Sequence, residues 1–137
     1  MKPDELISAA IKAREEANAK YSSFKVGAAF LTKSGKIFTG SNVESSSYSL
    51  TICAERVALT KALSEGEKDF SAVAVVTETS STPCGACRQL MWDYAGDISV
   101  YVADTTGKYR EIQLSELLPY PFEDTDLKKH NGHDDGK

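Results

Sequence analysis

Three cysteines supply every thiol of this chain, and they fall into one pattern. Cys53-Ala54-Glu55-Arg56 carries the first, and Pro83-Cys84-Gly85-Ala86-Cys87-Arg88-Gln89 carries the other two. Thiolates are soft ligands well suited to Zn²⁺. Three of them with no fourth protein ligand leave one tetrahedral position open, which distinguishes catalytic from structural zinc. A fourth cysteine does not exist, and the only histidines, His130 and His133, lie in a polar C-terminal stretch. Glu55 lies too close to Cys53 to act as an independent ligand. It is well placed to hydrogen-bond water at the open position. The pattern therefore points to a catalytic zinc site, with one zinc per chain.

Each part alone is weak. A single Cys-x-x-Cys can be a redox pair. A lone buried cysteine is often just a small core residue. An isolated glutamate in the first turn of a helix commonly complements the helix dipole. His130 and His133 read as part of a solvated tail. The joint pattern of Cys-x-Glu with Pro-Cys-x-x-Cys is far more specific than any of its pieces. Three thiolates and Zn²⁺ carry a net negative charge. A nearby cation should offset it, and Arg56 or Arg88 could serve.

The elements that must position these groups are readable from periodicity. Leu6, Ile7, Ala10, Ile11 and Ala17 recur at helical spacing, which predicts a helix over about 4–19. Val26 to Leu31 and Ile37 to Gly40 flank Ser34-Gly35-Lys36 and predict a β-hairpin. Residues 41–51 are polar and serine-rich, as expected of a loop. A second helix is expected over about 53–65, ending near Gly66. Phe70 to Val76 reads as a buried strand. A third helix starts near Cys84 and ends before Gly96. Strands are expected over Ile98 to Val102 and Tyr109 to Leu114, then a short helical turn before Pro119. Cys84 and Cys87 are thus one helical turn apart, and both cysteine elements open a helix. Helix N-termini favour anions and lower thiol pKa. The order α-β-β-α-β-α-β-β predicts an α/β fold with a mixed sheet covered by helices. Residues 1–122 form one domain in this reading, and 123–137 a polar, mobile tail.

Composition narrows the function classes. The chain is 41% hydrophobic and 26% charged, ordinary for a soluble globular protein. No apolar run is long enough to span a bilayer. The first residues lack the basic and apolar regions of a secretory signal, so a cytoplasmic location is expected, and reduced cysteines suit it. The formal net charge is −4 and no basic run lies near the cysteines. A small uncharged substrate is favoured over nucleic acid.

At these residues the chain resembles the cytidine deaminase family, of the short homotetrameric type. Tyr21-Ser22-Ser23-Phe24-Lys25-Val26-Gly27-Ala28-Ala29 matches the family's Tyr-Ser-x-Phe-x-Val-Gly-Ala-Ala segment. Asn42-Val43-Glu44, the two cysteine elements and Leu117-Leu118-Pro119-Tyr120-Pro121-Phe122 match further family segments. The resemblance implies a three-layer α-β-α fold with a mixed five-stranded sheet. It implies zinc on Cys53, Cys84 and Cys87, proton transfer by Glu55, and a hydrogen bond from Arg56 to a zinc-bound sulfur. It implies that Phe24 packs on the nucleoside, Asn42 and Glu44 hold the ribose, and backbone groups of Ala54 and Thr82 meet the base. Tyr48 and Phe122 would reach a neighbouring subunit's pocket in a homotetramer. The implied activity is deamination of cytidine and 2′-deoxycytidine in pyrimidine salvage. A deaminase of a cytosine nucleoside antibiotic such as blasticidin S is the nearest alternative. Ser45-Ser46 departs from the family's usual Asn-Ala before Ser/Cys-Tyr, in a loop near the subunit junction of relatives. Thr82 stands where serine is common.

Overall fold

The computed structural model describes residues 2–131. Helix α1 (Pro3–Arg14) precedes the hairpin of β1 (Gly27–Thr32) and β2 (Ile37–Ser41). Then follow α2 (Ala54–Ser64), β3 (Phe70–Val76), α3 (Gly85–Ala95), β4 (Ser99–Ala103) and β5 (Tyr109–Gln113). The short α4 (Leu114–Leu117) and α5 (Asp124–Asn131) close the described chain. The strands form one mixed sheet in the order β2-β1-β3-β4-β5. β3 and β4 run parallel, joined by the α3 crossover, and the other neighbours are antiparallel.

Strand side chains alternate between faces, and here both faces are apolar. Ala28, Phe30, Val73, Val75, Val100 and Val102 pack with Ala58 and Leu59 of α2 and Met91 of α3. Ala29, Ala72, Ala74, Val76 and Ala103 meet Leu6, Ile7 and Ala10 of α1. A sheet covered on both sides gives continuous apolar runs rather than an in–out alternation. That is why β3 reads as an unbroken hydrophobic segment. The result is the expected three-layer α-β-α arrangement with five strands.

The helices sit close to the sheet because glycine allows it. A Cβ on Gly27 would lie 2.0 Å from the Ala10 carbonyl oxygen of α1. One on Gly40 would lie 2.5 Å from the Ala58 nitrogen and 2.7 Å from the Ala54 oxygen of α2. Gly40 thereby seats the first turns of α2, which carry Glu55 and Arg56, directly against the hairpin.

One expectation changes. The first helix ends at Arg14, not near residue 19. Glu15, Glu16 and Ala17 form tight turns onto Lys12, Ala13 and Arg14. Asn18 then bonds to the Asn42 carbonyl at 2.9 Å and accepts from the Glu44 amide at 3.0 Å. Pairing with the 42–44 segment overrides the local helical preference. The stretch expected as a tail begins with α5, while residues 132–137, including His133, lie outside the described residues. No helix among the described residues is long and apolar enough to cross a membrane.

Candidate metal centre and substrate cavity

Two helices begin with a cysteine. Cys53 is the N-cap residue of α2 and Cys84 that of α3, both in extended backbone. Cys87 follows in the first turn of α3. The unpaired N–H groups of both helix starts therefore face the same small region. Cys53 Sγ lies 3.8 Å from Cys84 Sγ, which lies 3.4 Å from Cys87 Sγ. All three sulfurs fall within 4.8 Å of one another. All three are free cysteines, because a disulfide needs a bond of about 2.05 Å. Zn–S bonds of about 2.3 Å at tetrahedral angles separate sulfurs by roughly 3.8 Å. The donor set and its spacing fit zinc.

The charges around this cluster are arranged for anions. Arg56 Nη2 donates to the Thr51 carbonyl at 3.2 Å and approaches Cys53 Sγ at 3.7 Å. Its Nε is buried with no hydrogen-bond partner. The Cys87 thiol and Arg56 together hold the Cys53 thiol down, to about 5. Cys87 is pushed up by its hydrogen bond to Cys53 and by burial. Glu55 is 4% exposed. Burial, reinforced by the charge of Cys53, pushes its carboxyl up to about 7. A carboxyl poised there can both accept and donate a proton near neutral pH.

Cys53, Cys84 and Glu55 open onto one cavity of about 240 Å³. Its walls include Phe24, Asn42, Glu44, Cys53, Glu55, Thr82 and Cys84. Val26, Thr51, Val75, Thr77 and Ser81 complete them. Asn42 is buried and spans the rim. Its Oδ1 accepts the Val26 amide and its Nδ2 donates to the Phe24 carbonyl, both at 2.9 Å. The Glu44 carboxylate accepts the Tyr21 and Ser22 amides at 3.0 Å each, on Oε1. Oε2 accepts the Ser22 hydroxyl. These bonds, the Ser22 hydroxyl first, hold the Glu44 carboxyl below its ordinary value. A carboxylate offers about four acceptor positions, so room for one further donor remains.

A metal-binding cysteine trio, a buried carboxyl and a polar rim on a three-layer fold match a known family. The family model for the cytidine and deoxycytidylate deaminase zinc-binding region matches residues 1–103. The chain belongs to this family. The curated cytidine deaminase of Halalkalibacterium halodurans is 50% identical over 125 residues, covering 89% of this chain and 95% of the relative. The blasticidin-S deaminase of Bacillus cereus is 36% identical over 107 residues, covering 71% and 76%. The crystal structure of cytidine deaminase from Burkholderia pseudomallei superposes with a TM-score of 0.86 at 47% identity. It covers 89% of this chain and 100% of that one.

Within this deaminase fold the structure collects most of the residues singled out by sequence. Phe24, Asn42, Glu44, Cys53, Glu55, Thr82 and Cys84 share the cavity, and Cys87 and Arg56 stand behind it. Ala54 is fully buried and does not line the cavity. Tyr48 lines a neighbouring hollow of about 390 Å³ with Tyr21, Ser22, Glu44, Ser45 and Thr51. Phe122 is 55% exposed and lines neither space. Arg88 does not serve the sulfurs. It bonds instead to the Pro83 carbonyl, the Leu117 carbonyl and Thr82. Sequence reasoning missed Thr77, a buried threonine directly after β3 whose Oγ1 accepts the Ser81 amide at 2.8 Å. A polar residue ending an otherwise apolar strand was its only signal.

Proposed function

We propose that this protein hydrolytically deaminates cytidine and 2′-deoxycytidine to the uracil nucleosides, releasing ammonia, as a step of pyrimidine salvage. The observation that carries the reading is the buried Glu55 carboxyl opening onto the same cavity as Cys53 and Cys84. Zinc held by Cys53, Cys84 and Cys87 would supply Lewis acidity and lower the pKa of a water at the site. Glu55 takes one proton from the attacking water and passes it to N3 of the pyrimidine, which makes C4 electrophilic. The water oxygen adds at C4. Glu55 carries the second proton to the exocyclic amino group, the C4–N bond breaks and ammonia leaves. One carboxyl acts as base and then acid, and it ends the cycle as it began. Phe24 covers the nucleoside, and Thr82 faces the base. Arg56 offsets the negative charge of the thiolates.

Loss of cytosine absorbance on incubation with cytidine tests the activity directly. The 50% identity to a cytidine deaminase, against 36% to a blasticidin-S deaminase, favours the ordinary nucleosides. Efficient turnover of blasticidin S with little of cytidine would reverse that choice. Asn42 and Glu44 are assigned to the ribose 3′-hydroxyl. A site built around a hydroxyl leaves its own groups unpaired when the hydroxyl is missing. Free cytosine and 3′-deoxycytidine should therefore react much more slowly than cytidine, and 2′-deoxycytidine should react well. Glu44→Ala should lower kcat/KM for cytidine roughly tenfold and hardly change the rate with 3′-deoxycytidine. Equal losses on both substrates would assign Glu44 to holding Tyr21 and Ser22 alone.

The same reading makes the protein a cytoplasmic homotetramer with cavities at subunit junctions. The support for the tetramer is a set of large apolar side chains left in water, with Tyr48, which lines the neighbouring hollow, at 78% and Leu50 at 67% exposure. Sedimentation at assay concentration should give a tetramer. A fully active monomer would end this part of the reading.

A further inference from the structure

Arg88 joins three pieces of chain that sequence leaves apart. Its Nε donates to the Pro83 carbonyl at 2.7 Å and its Nη2 to Thr82 Oγ1 at 2.9 Å. Its Nη1 donates to the Leu117 carbonyl at 2.6 Å, at the end of α4. Every guanidinium nitrogen is thus engaged, and each acceptor is a neutral oxygen. The ion pair found among the described residues, Lys36 with Glu67, lies elsewhere. A planar guanidinium with three fixed bonds has little freedom left, and it fixes whatever it holds.

What it holds is a cavity wall. Thr82 and Cys84 both line the cavity, with Pro83 between them. Thr77 anchors the start of this wall through the Ser81 amide, and Ser80 between them has a positive φ of 55°. Arg88 anchors the other end. Its third bond leads away from the cavity, to a segment that α3 grips twice more. Gln89 Nε2 donates to the Phe122 carbonyl at 2.8 Å, and Trp92 Nε1 to Glu123 Oε1 at 3.0 Å.

We propose that Arg88 is a positioning residue: its guanidinium clamps the Thr82–Pro83 wall of the substrate cavity to α3 and ties that wall to the C-terminal segment at Leu117. The kinetic part rests on the deaminase reading above. With the clamp released, the wall loses its place against the base while the three sulfurs and Glu55 stay. Binding then suffers more than chemistry.

Arg88→Gln, Arg88→Lys, Thr82→Val and the Arg88→Gln/Thr82→Val double variant test this. Arg88→Gln should raise KM for cytidine roughly tenfold, since it removes hydrogen bonds from a charged donor. kcat should fall much less, and zinc should stay at one per chain. Thr82→Val removes a single arm and should raise KM less. The double variant should be little worse than Arg88→Gln, because both changes break one network. Arg88→Lys keeps the charge but not the fork and should restore only part of the loss. Amide hydrogen exchange gives a readout independent of turnover. In Arg88→Gln, exchange should quicken together in 81–84 and 117–120; in Thr82→Val, in 81–84 alone. Unchanged KM and exchange in Arg88→Gln would overturn the clamp. So would full rescue by lysine, or zinc loss in proportion to activity. If Arg88→Gln does not fold, unchanged KM and exchange in Thr82→Val overturns it equally. If the wild-type protein ignores cytidine, the function reading fails, while the exchange experiment still decides the clamp.

Discussion

Replacing Glu55 with glutamine is expected to lower kcat by at least about 10²–10⁴-fold, the usual contribution of general acid–base catalysis, while zinc and fold remain. The residue is 4% exposed, and burial already draws its carboxyl toward the neutral form. A neutral amide of the same shape therefore enters the site without a new buried charge. It cannot carry a proton. The proposed reaction uses this one carboxyl for both the base and the acid step, and Glu44, the other carboxylate of the cavity, is engaged by Tyr21 and Ser22. Cys53, Cys84 and Cys87 are untouched, so metal analysis should still find one zinc per chain. Cytidine should still bind. Steady-state kinetics and elemental analysis on the same preparation check this. Zinc lost in step with activity would make Glu55 a support for the metal rather than the proton carrier.

Much of this was legible from local pattern. β3 could be read from an unbroken apolar run because both faces of the sheet are covered. Cys53 and Cys84 could be placed at helix starts because Ala54 onward and Gly85 onward resume helical spacing. What stayed hidden depends on partners distant in sequence. Nothing in Glu15-Glu16-Ala17-Asn18 disfavours a helix. The helix stops because Asn18 is taken up by Asn42 and Glu44. Arg88 looked like a counter-charge because it follows Cys87. Its acceptors on Pro83 and Leu117 are backbone carbonyls, which carry no sequence signal. Glu44 was legible through the resemblance of Asn42-Val43-Glu44 to a family segment. That it also clasps the Tyr21 and Ser22 amides was not, since any residue type supplies an amide.

Cys84→Ala is expected to abolish both zinc binding and turnover, a larger loss than Glu55→Gln because it removes the Lewis acid as well as the hydrolytic water. Two sulfurs remain, too few for the tetrahedral donor set of a zinc site. Cys84 is the informative cysteine to change. Cys87 is fully buried in the core packed by α3, so truncating it would confuse lost metal with lost packing. Cys84 is exposed, and its side chain makes no capping bond to α3. Its loss should therefore cost the helix little. Two apolar layers cover the sheet without any help from the metal. The variant should accordingly show the far-ultraviolet circular dichroism of the parent while elemental analysis finds no stoichiometric zinc. Chelation of the parent should reproduce the loss of activity, and added Zn²⁺ should restore the parent but not the variant. Full turnover by a preparation verified to be free of zinc would remove the metal from the reaction, and with it the proposed role of the three cysteines.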